Sequence, residues 1–319
     1  MTHSNHASSI DTQYLMLVNK ILSKLDQGPA KDRTGAGRLR IFNHQMSFDM
    51  REEFPLLSLK KTHFASIVKE LAWFCKGSTN IEDLGCSIWD EWALETDNDD
   101  LSKGDIGPMY GYQWRRKDGV GPFSIITRED QLLNILREAR RNPTSSRLIV
   151  NSWDPNKLPR PELSVQDNLK QGYMALAPCH FAYQFFCEEI DGVMYMDLKA
   201  HCRSQDVFLG TPFNIASYAL LLILSAQYCG YVPRHFIPDL GDCHIYGNHL
   251  DKVDEFLFQS RSHLTKVVSA KHDGEWKPVM LEGIKDITPF NIFKDNNVQR
   301  IIDGLQNYNP SAHIKFPRN

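Results

Sequence analysis

Cys179, which follows a proline and precedes a histidine, is the side chain of this sequence best suited to covalent chemistry. A thiolate attacks electron-poor carbon far better than a thiol does, and an ordinary cysteine is mostly protonated at neutral pH. A catalytic cysteine therefore needs positive charge or hydrogen-bond donors nearby, and Arg203, in the segment 200–206, is the candidate. The alternative is a buried cysteine that packs as a small hydrophobic residue.

Other stretches carry polar or aromatic side chains in patterns that suit a small-molecule site. Glu70 stands at the border of the apolar face of a predicted helix, and burial there would raise its pKa into the range of a proton carrier. Arg33 stands on a glycine-bearing loop, where it is either an anion ligand or a solvated surface residue. The aromatic segments 88–92 and 110–115 suit stacking on a flat heterocycle but also ordinary packing.

Hydrophobic periodicity predicts the helices and strands that must position these residues. Predicted helices cover residues 14–25, 62–76 and 129–141, a very apolar stretch that opens at 210, and a segment from about 248. Predicted strands cover residues 39–48, 148–150, 181–187, 193–198 and 241–246, and residues 158–171 are predicted to form a loop. Because no linker or repeat interrupts this order, we expect one α+β domain over residues 12–319, with a mixed β-sheet packed against helices, after a disordered lead-in of residues 1–11.

Composition excludes several classes of protein. The 319 residues are 42 % hydrophobic, enough for a continuous core, and the formal net charge of −3 argues against nucleic acid or an anionic membrane as the main partner. The seven cysteines have no paired spacing, which indicates reduced thiols and a cytoplasmic location rather than disulfides or a metal site. The longest apolar run, residues 215–226, is too short to cross a bilayer.

Seven stretches, in this order and at these spacings, carry a resemblance to the thymidylate synthase family. They are DRTGAG at 32–37, KELAWFCKGSTN at 69–80, IWDEWA at 88–93, GPMYGYQW at 107–114, ALAPCH at 175–180, RSQDVFLGTPFNIASYALL at 203–221 and GDCHIYGNH at 241–249. The resemblance runs from about residue 12 to about residue 317.

The resemblance implies transfer of a one-carbon unit from 5,10-methylenetetrahydrofolate to C5 of dUMP, with no metal. A cysteine adds to C6 of uracil and turns the ring into an enolate whose C5 can attack the one-carbon unit. The residues implied to take part in catalysis are Cys179, Glu70, Tyr110, Arg203 and Asp206. Within this set, Cys179 would be the nucleophile, and Glu70 and Tyr110 would move protons through water.

The same resemblance implies which residues bind the two substrates. Those implied for the nucleotide are Arg33, Arg147, Arg203, Ser204, Gln205, Asp206, Asn214, His244 and Tyr246. Those implied for the folate are Lys60, Trp89, Trp92, Asp206 and Gly210. Arginines would hold the phosphate, Asn214 would contact the N3–O4 edge of uracil, and His244 and Tyr246 the sugar hydroxyl. Arg147 would cross from the second subunit of a homodimer.

The chain departs from the usual family pattern in three places. Ser146 stands where the family usually has the first of two arginines, and Cys202 stands where it usually has glutamine. The ending, residues 314–319, is polar and shorter where the family usually closes with an apolar sequence. Looser closure would admit water to the active site.

Water access leaves two reactions open, because the methylene intermediate can take a hydride from the folate or a water molecule. The first outcome gives thymidylate and the second gives 5-hydroxymethyldeoxyuridylate, as in a dUMP hydroxymethylase. The presence of Trp89, Tyr110 and Asn214 favours thymidylate. A nucleotide-binding protein without catalysis is a third alternative, which turnover of dUMP would exclude.

Overall fold

The computed structural model describes residues 9–31, 35–97, 101–120, 126–294 and 296–318. The helices are α1 Ile10–Leu22, α2 Phe64–Lys76, α3 Gly111–Arg116, α4 Gln131–Arg141, α5 Val165–Lys170, α6 Gly210–Cys229, α7 Val253–His272 and α8 Asn297–Asp303. The strands are β1 Arg38–Gln45, β2 Phe48–Asp49, β3 Lys117–Val120, β4 Ile126–Glu129, β5 Ile149–Asn151, β6 His180–Ile190, β7 Val193–Asp206, β8 Val232–Tyr246, β9 Met280–Leu281 and β10 Leu305–Gln306.

A six-stranded sheet organises the described part of the chain, in the order β1-β8-β7-β6-β5 with β2 beside β8. Neighbouring strands of this sheet are antiparallel except for β7 and β8, which are parallel. Parallel strands need a long connection, and α6 supplies it by crossing back over the sheet. The resulting register places Asp206 opposite His244, and Ser204 opposite Asp242. Two distant sequence segments therefore end side by side.

One hydrophobic cluster runs from Ile10 in α1 to Phe316 near the end of the chain. Most of α6 is buried in it, which explains why this helix is apolar nearly all round. Among the described residues, α6 is the helix long and apolar enough to cross a membrane, but 67 % of its most apolar window is buried inside the protein. That burial is typical of a core helix. The prediction of one α+β domain with a mixed sheet is confirmed.

Several predicted boundaries were wrong. α1 begins at Ile10, so two residues assigned to the lead-in are helical, and residues 1–8 lie outside the described residues. The predicted loop 158–171 contains α5, whose first turn is capped by the side chain of Ser164 accepting from the backbone N–H of Asp167. The strand predicted at 148–150 is β5, and its first residue, Ile149, is exposed rather than buried.

Candidate active site

Arg203 holds the backbone around Cys179 in place. Its Nε donates to the carbonyl oxygen of Pro178 at 2.9 Å and its Nη2 to that of Ala177 at 2.8 Å. The backbone N–H of Arg203 also donates to the carbonyl of Cys179 at 2.8 Å. The guanidinium stacks over the ring of Trp153, 5.5 Å from its centroid. The end of β7 therefore fixes the cysteine just before β6 begins.

The thiol of Cys179 is half-buried and carries its proton at neutral pH. Burial raises its pKa above the ordinary value, the positive charge of Arg203 lowers it by less, and Asp206 raises it slightly. The charge of Arg203 thus favours the thiolate, but desolvation outweighs it. A nucleophilic Cys179 must lose its proton during the reaction.

Tyr110 contacts the cysteine directly. Its hydroxyl accepts a hydrogen bond of 2.9 Å from the backbone N–H of Cys179, and its ring stacks on that of His180 with centroids 4.1 Å apart. The backbone of Tyr110 has φ 27°, a costly conformation for a non-glycine residue. The next residue is Gly111, where a Cβ atom would lie 2.7 Å from the carbonyl oxygen of Phe74. Close packing of α3 on α2 thus fixes the tyrosine.

Glu70 is a buried carboxyl group beside Trp89. It is 8 % exposed on α2, and its Oε1 accepts a 2.7 Å hydrogen bond from Nε1 of Trp89. Burial raises its pKa to about 7, against the smaller lowering effect of that hydrogen bond. Burial raises the pKa of Tyr110 well above its ordinary value, and interaction with the charged forms of Cys179 and Glu70 raises it further. The structure therefore brings Cys179, Tyr110 and Glu70 together.

The ends of β7 and β8 gather the residues predicted for the nucleotide. His244 is buried, its Nδ1 lies 3.1 Å from the carbonyl oxygen of Asp242, and its ring centroid is 4.9 Å from that of Tyr246. Ser204 pairs with Asp242 in the parallel register. Asn214, on the first turns of α6, donates from Nδ2 to Oε1 of Gln205 at 3.3 Å. Hydrogen-bonding side chains therefore meet at the ends of these two neighbouring strands.

The residues predicted for the folate lie around Asp206 and Trp89. Oδ1 of Asp206 accepts from the backbone N–H groups of Phe208 and Leu209, at 2.9 and 3.1 Å, just before α6 begins. Lys60 is buried near this carboxylate, and its burial lowers its pKa to about 8 despite the opposing charge of Asp206. Trp89 and Trp92 are partly buried at the two ends of the short segment 89–92, and a Cβ atom on Gly210 would contact Gln205 and Asn214.

Two predicted phosphate ligands are not part of this cluster. Arg33 lies outside the described residues. Arg147 is exposed just before β5, which pairs with β6 so that Ile149 is opposite Gln184. This register puts Arg147 near Phe186, on the order of 20 Å along the strand from Cys179. Arg147 cannot reach a phosphate beside the cysteine of its own chain.

The sequence patterns missed how the end of the chain docks. Phe316 is buried and stacks on Phe208, with ring centroids 4.1 Å apart and planes 8° apart. Nε2 of His249 lies 2.7 Å from the carbonyl oxygen of Pro317. Nη1 of Arg318 lies 4.0 Å from Oε1 of Glu91, between the two tryptophans in sequence. No local signal predicts these contacts, because their partners are far apart in the chain. Asn319 lies outside the described residues.

A cavity of about 790 Å³ lies elsewhere, between the start of α1 and α7. The hydroxyl of Ser58 donates there to Asp11 and lies 2.7 Å from Nε2 of His263. The walls mix lysine and glutamate side chains, so their charge selects no ligand class. The described residues contain no group of three or more His, Cys, Asp or Glu side chains that could hold a metal ion. The chemistry-bearing residues instead converge on Cys179.

Comparison with protein-family models agrees with this geometry. The model described as thymidylate synthase matches residues 12–318, nearly the whole chain. The matched region contains Cys179 and every element that positions the residues around it. The chain belongs to the thymidylate synthase family, whose members transfer a one-carbon unit from methylenetetrahydrofolate to C5 of dUMP.

Proposed function

We propose that this protein is a thymidylate synthase that converts dUMP and 5,10-methylenetetrahydrofolate to dTMP and dihydrofolate. The contact of Cys179 with Tyr110, which lies within the electrostatic reach of Glu70, carries the proposal. It joins a nucleophile to two groups that can move a proton. Family membership supports the same reaction class.

The first step is addition of Sγ of Cys179 to C6 of uracil. The thiol proton leaves as the C–S bond forms, and the ring electrons move to the enolate spanning C5 and O4. Arg203 stabilises the developing negative charge on sulfur, since its positive charge already lowers the thiol pKa. Asn214 is suited to hold the N3–O4 edge, where charge accumulates.

The second step forms the new carbon–carbon bond and then removes the proton from C5. The folate supplies the one-carbon unit and, for thymidylate, the hydride. Glu70, with a pKa of about 7, can accept or release a proton at neutral pH. Tyr110 interacts electrostatically with both Cys179 and Glu70. Loss of the C5 proton expels the folate from the one-carbon unit and leaves the methylene intermediate. Addition of hydride to this methylene then lets the C–S bond break and regenerates Cys179.

Lys60, Asp206, Trp89, Trp92 and Gly210 are the proposed folate contacts. The two indole rings offer flat apolar surfaces for a pterin, while Asp206 offers a carboxylate that accepts hydrogen bonds. Trp89 is also tied to Glu70 by its 2.7 Å hydrogen bond. Folate binding and proton transfer would therefore share one side chain.

We also propose a homodimer in the cytoplasm. The main sheet carries exposed apolar side chains, Phe42 at 84 % and Phe186 at 56 %, on the side opposite the buried Leu39 and Phe185. Arg147 stands at the same sheet, too far from its own Cys179 to contact that site. A second copy packed on this face would cover the rings and could receive Arg147 at its phosphate site. The seven free cysteines suit a reducing compartment.

A dUMP hydroxymethylase is the second candidate, and the exposed Arg318 favours it. A hydrated cation at the edge of the site can keep water near the methylene intermediate. Mass spectrometry of the nucleotide formed from dUMP and methylenetetrahydrofolate separates the two reactions. Our proposal requires dUMP gaining one methylene, with one dihydrofolate per nucleotide. A product heavier than dTMP by one oxygen atom, with tetrahydrofolate released, would instead establish the hydroxymethylase.

A further inference from the structure

Gln205, the second-to-last residue of β7, contacts Asn214 from inside the protein. It is 1 % exposed, and its Oε1 lies 3.3 Å from Nδ2 of Asn214 and 3.2 Å from Oγ1 of Thr211. Both neighbours are positioned to donate to this one oxygen. Thr211 and Asn214 are both on the first turns of α6. The end of β7 thus contacts the start of the helix that presents the base-reading amide.

This contact fixes which end of the Asn214 amide faces Gln205. If the amide turned over, Oδ1 of Asn214 would face Oε1 of Gln205 at about the same distance, with no hydrogen between two acceptors. A buried pair of that kind loses a hydrogen bond and gains repulsion. Turning over the Gln205 amide as well would take its Nε2 away from the Cys202 thiol, whose pKa is raised by burial and lowered by a side-chain hydrogen bond from Gln205. The orientation with Nδ2 of Asn214 toward Gln205 is therefore held, and Oδ1 and the second Nδ2 hydrogen remain for a ligand.

The two pyrimidine bases need opposite orientations of that amide. Uracil offers a donor at N3 and an acceptor at O4, whereas cytosine offers an acceptor at N3 and a donor at its amino group. Each of the two bases pairs with only one of the two orientations of the asparagine amide. A neighbour that prevents the amide from turning therefore controls base choice without touching the base.

We propose that Gln205 is a positioning residue that locks the amide of Asn214 for uracil and so sets the preference for dUMP over dCMP. The inference rests on the proposed nucleotide site at Asn214. A buried amide is costly in the surrounding wall of Cys202, Ile215 and Leu240. Positioning of Asn214 explains why a polar side chain occupies such a place.

The test compares dissociation constants for dUMP and dCMP, by calorimetry, in the wild-type protein and in Gln205→Met. Methionine fills similar volume but accepts no strong hydrogen bond. The dissociation constant of dCMP divided by that of dUMP should fall by about tenfold to a hundredfold in Gln205→Met, mainly through tighter dCMP binding relative to dUMP. The matched control is Thr211→Val, which removes the other donor to Oε1 and should leave the ratio within about twofold.

A second variant keeps the inference testable if Gln205→Met does not fold. In Gln205→Glu, an ionised carboxylate accepts from Nδ2 of Asn214, whereas a protonated carboxyl can also donate to a turned-over amide. The preference for dUMP should therefore rise with pH in this variant and stay flat in the wild type over the same range. A flat profile in Gln205→Glu, or an unchanged ratio in folded Gln205→Met, would overturn the inference. Failure of the wild type to turn over dUMP would instead overturn the proposed function, since the binding ratio is measured without turnover.

Discussion

The hydroxyl of Tyr110 accepts a 2.9 Å hydrogen bond from the backbone N–H of Cys179. This contact joins the start of α3 to the start of β6, and it lies against the buried ring of His180. Burial lowers the pKa of His180 to about 3, so its imidazole is neutral and does not supply charge to the thiol. The tyrosine and Arg203 are therefore the polar groups that hold the cysteine in place.

Tyr110→Phe tests that contact. The variant keeps the ring stacked on His180 but leaves the N–H of Cys179 without its acceptor and removes a hydroxyl from proton transfer. We expect kcat to fall by about tenfold to a thousandfold, with the dissociation constant of dUMP changed by less than about threefold. Steady-state kinetics and calorimetry check both numbers. An equal loss in binding and kcat would assign the tyrosine to substrate binding.

Glu70 gives the activity a pH dependence. If the ionised form removes the C5 proton, kcat should rise with pH through about 7, the pKa that burial gives this carboxyl. Trp89→Phe removes the hydrogen bond that lowers the pKa, so the rising limb should move to higher pH. Glu70→Gln should lose about a hundredfold or more in kcat. If the rising limb of the kcat profile does not move in Trp89→Phe, the group that titrates is not Glu70.

The same pKa predicts a change in stability. Because the folded-state pKa of about 7 lies above the ordinary value of 4.5, the folded protein binds more protons than the unfolded chain between these values. Its free energy of unfolding should therefore fall as pH rises through this window. Glu70→Gln carries no such proton, so its stability relative to the wild type should be about 1–3 kcal/mol greater at pH 8 than at pH 5. Urea unfolding at the two pH values measures the difference.

Local patterns predicted much of the fold, and their failures have physical causes. The apolar stripes of α2 and α4 and the turn between β6 and β7 were readable because each depends on neighbouring residues. Only residues 241–246 of β8 were predicted, because Pro233 and Pro238 interrupt the strand pattern, yet parallel pairing with β7 extends it from Val232.

The candidate site shows the same limit. Cys179 and Arg203 were predicted from their residue types, but the balance between burial and charge at the thiol depends on packing that a sequence does not show. The positioning contact of Gln205 with Asn214 required a measured distance. The docking of Phe316 on Phe208 also joins residues with no local pattern in common.

The end of the chain should control the product. Phe316→Ala removes the stack on Phe208 that holds the tail, so more of the methylene intermediate should be captured by water. Arg318→Leu removes a hydrated cation near Glu91 and should leave dTMP as the product. The ratio of 5-hydroxymethyl product to dTMP, by mass spectrometry, tests both. If Phe316→Ala still yields only dTMP with one dihydrofolate per turnover, the docking of the chain end has no effect on water capture.

The proposed dimer has a matched pair of tests. Phe186→Asp places a charge on the exposed face of the main sheet and should weaken the dimer by about tenfold or more in sedimentation experiments. Phe258→Asp is the control, because Phe258 is similarly exposed but lies on α7, away from that face. An equal effect of the two variants would contradict the location of the interface.

Hybrid dimers test the role of Arg147. Arg147→Ala should raise the KM for dUMP, and mixing it with inactive Cys179→Ala protein should restore part of the activity. One site of the hybrid then combines an intact cysteine with an intact arginine from the partner. The mixture should exceed the summed activities of the separate proteins. Activity equal to that sum would place Arg147 outside the partner's site.

The central claim is that Cys179 adds to dUMP and so activates C5. Its most direct measurement is release of tritium to water from dUMP labelled at C5, in the presence of methylenetetrahydrofolate, because both candidate reactions remove that proton. Wild-type protein should release tritium with turnover, and Cys179→Ala should release none above background while still binding dUMP. Cys202→Ala, the control at a neighbouring buried thiol, should keep most of the activity. Tritium release by Cys179→Ala at a tenth or more of the wild-type rate would contradict the account.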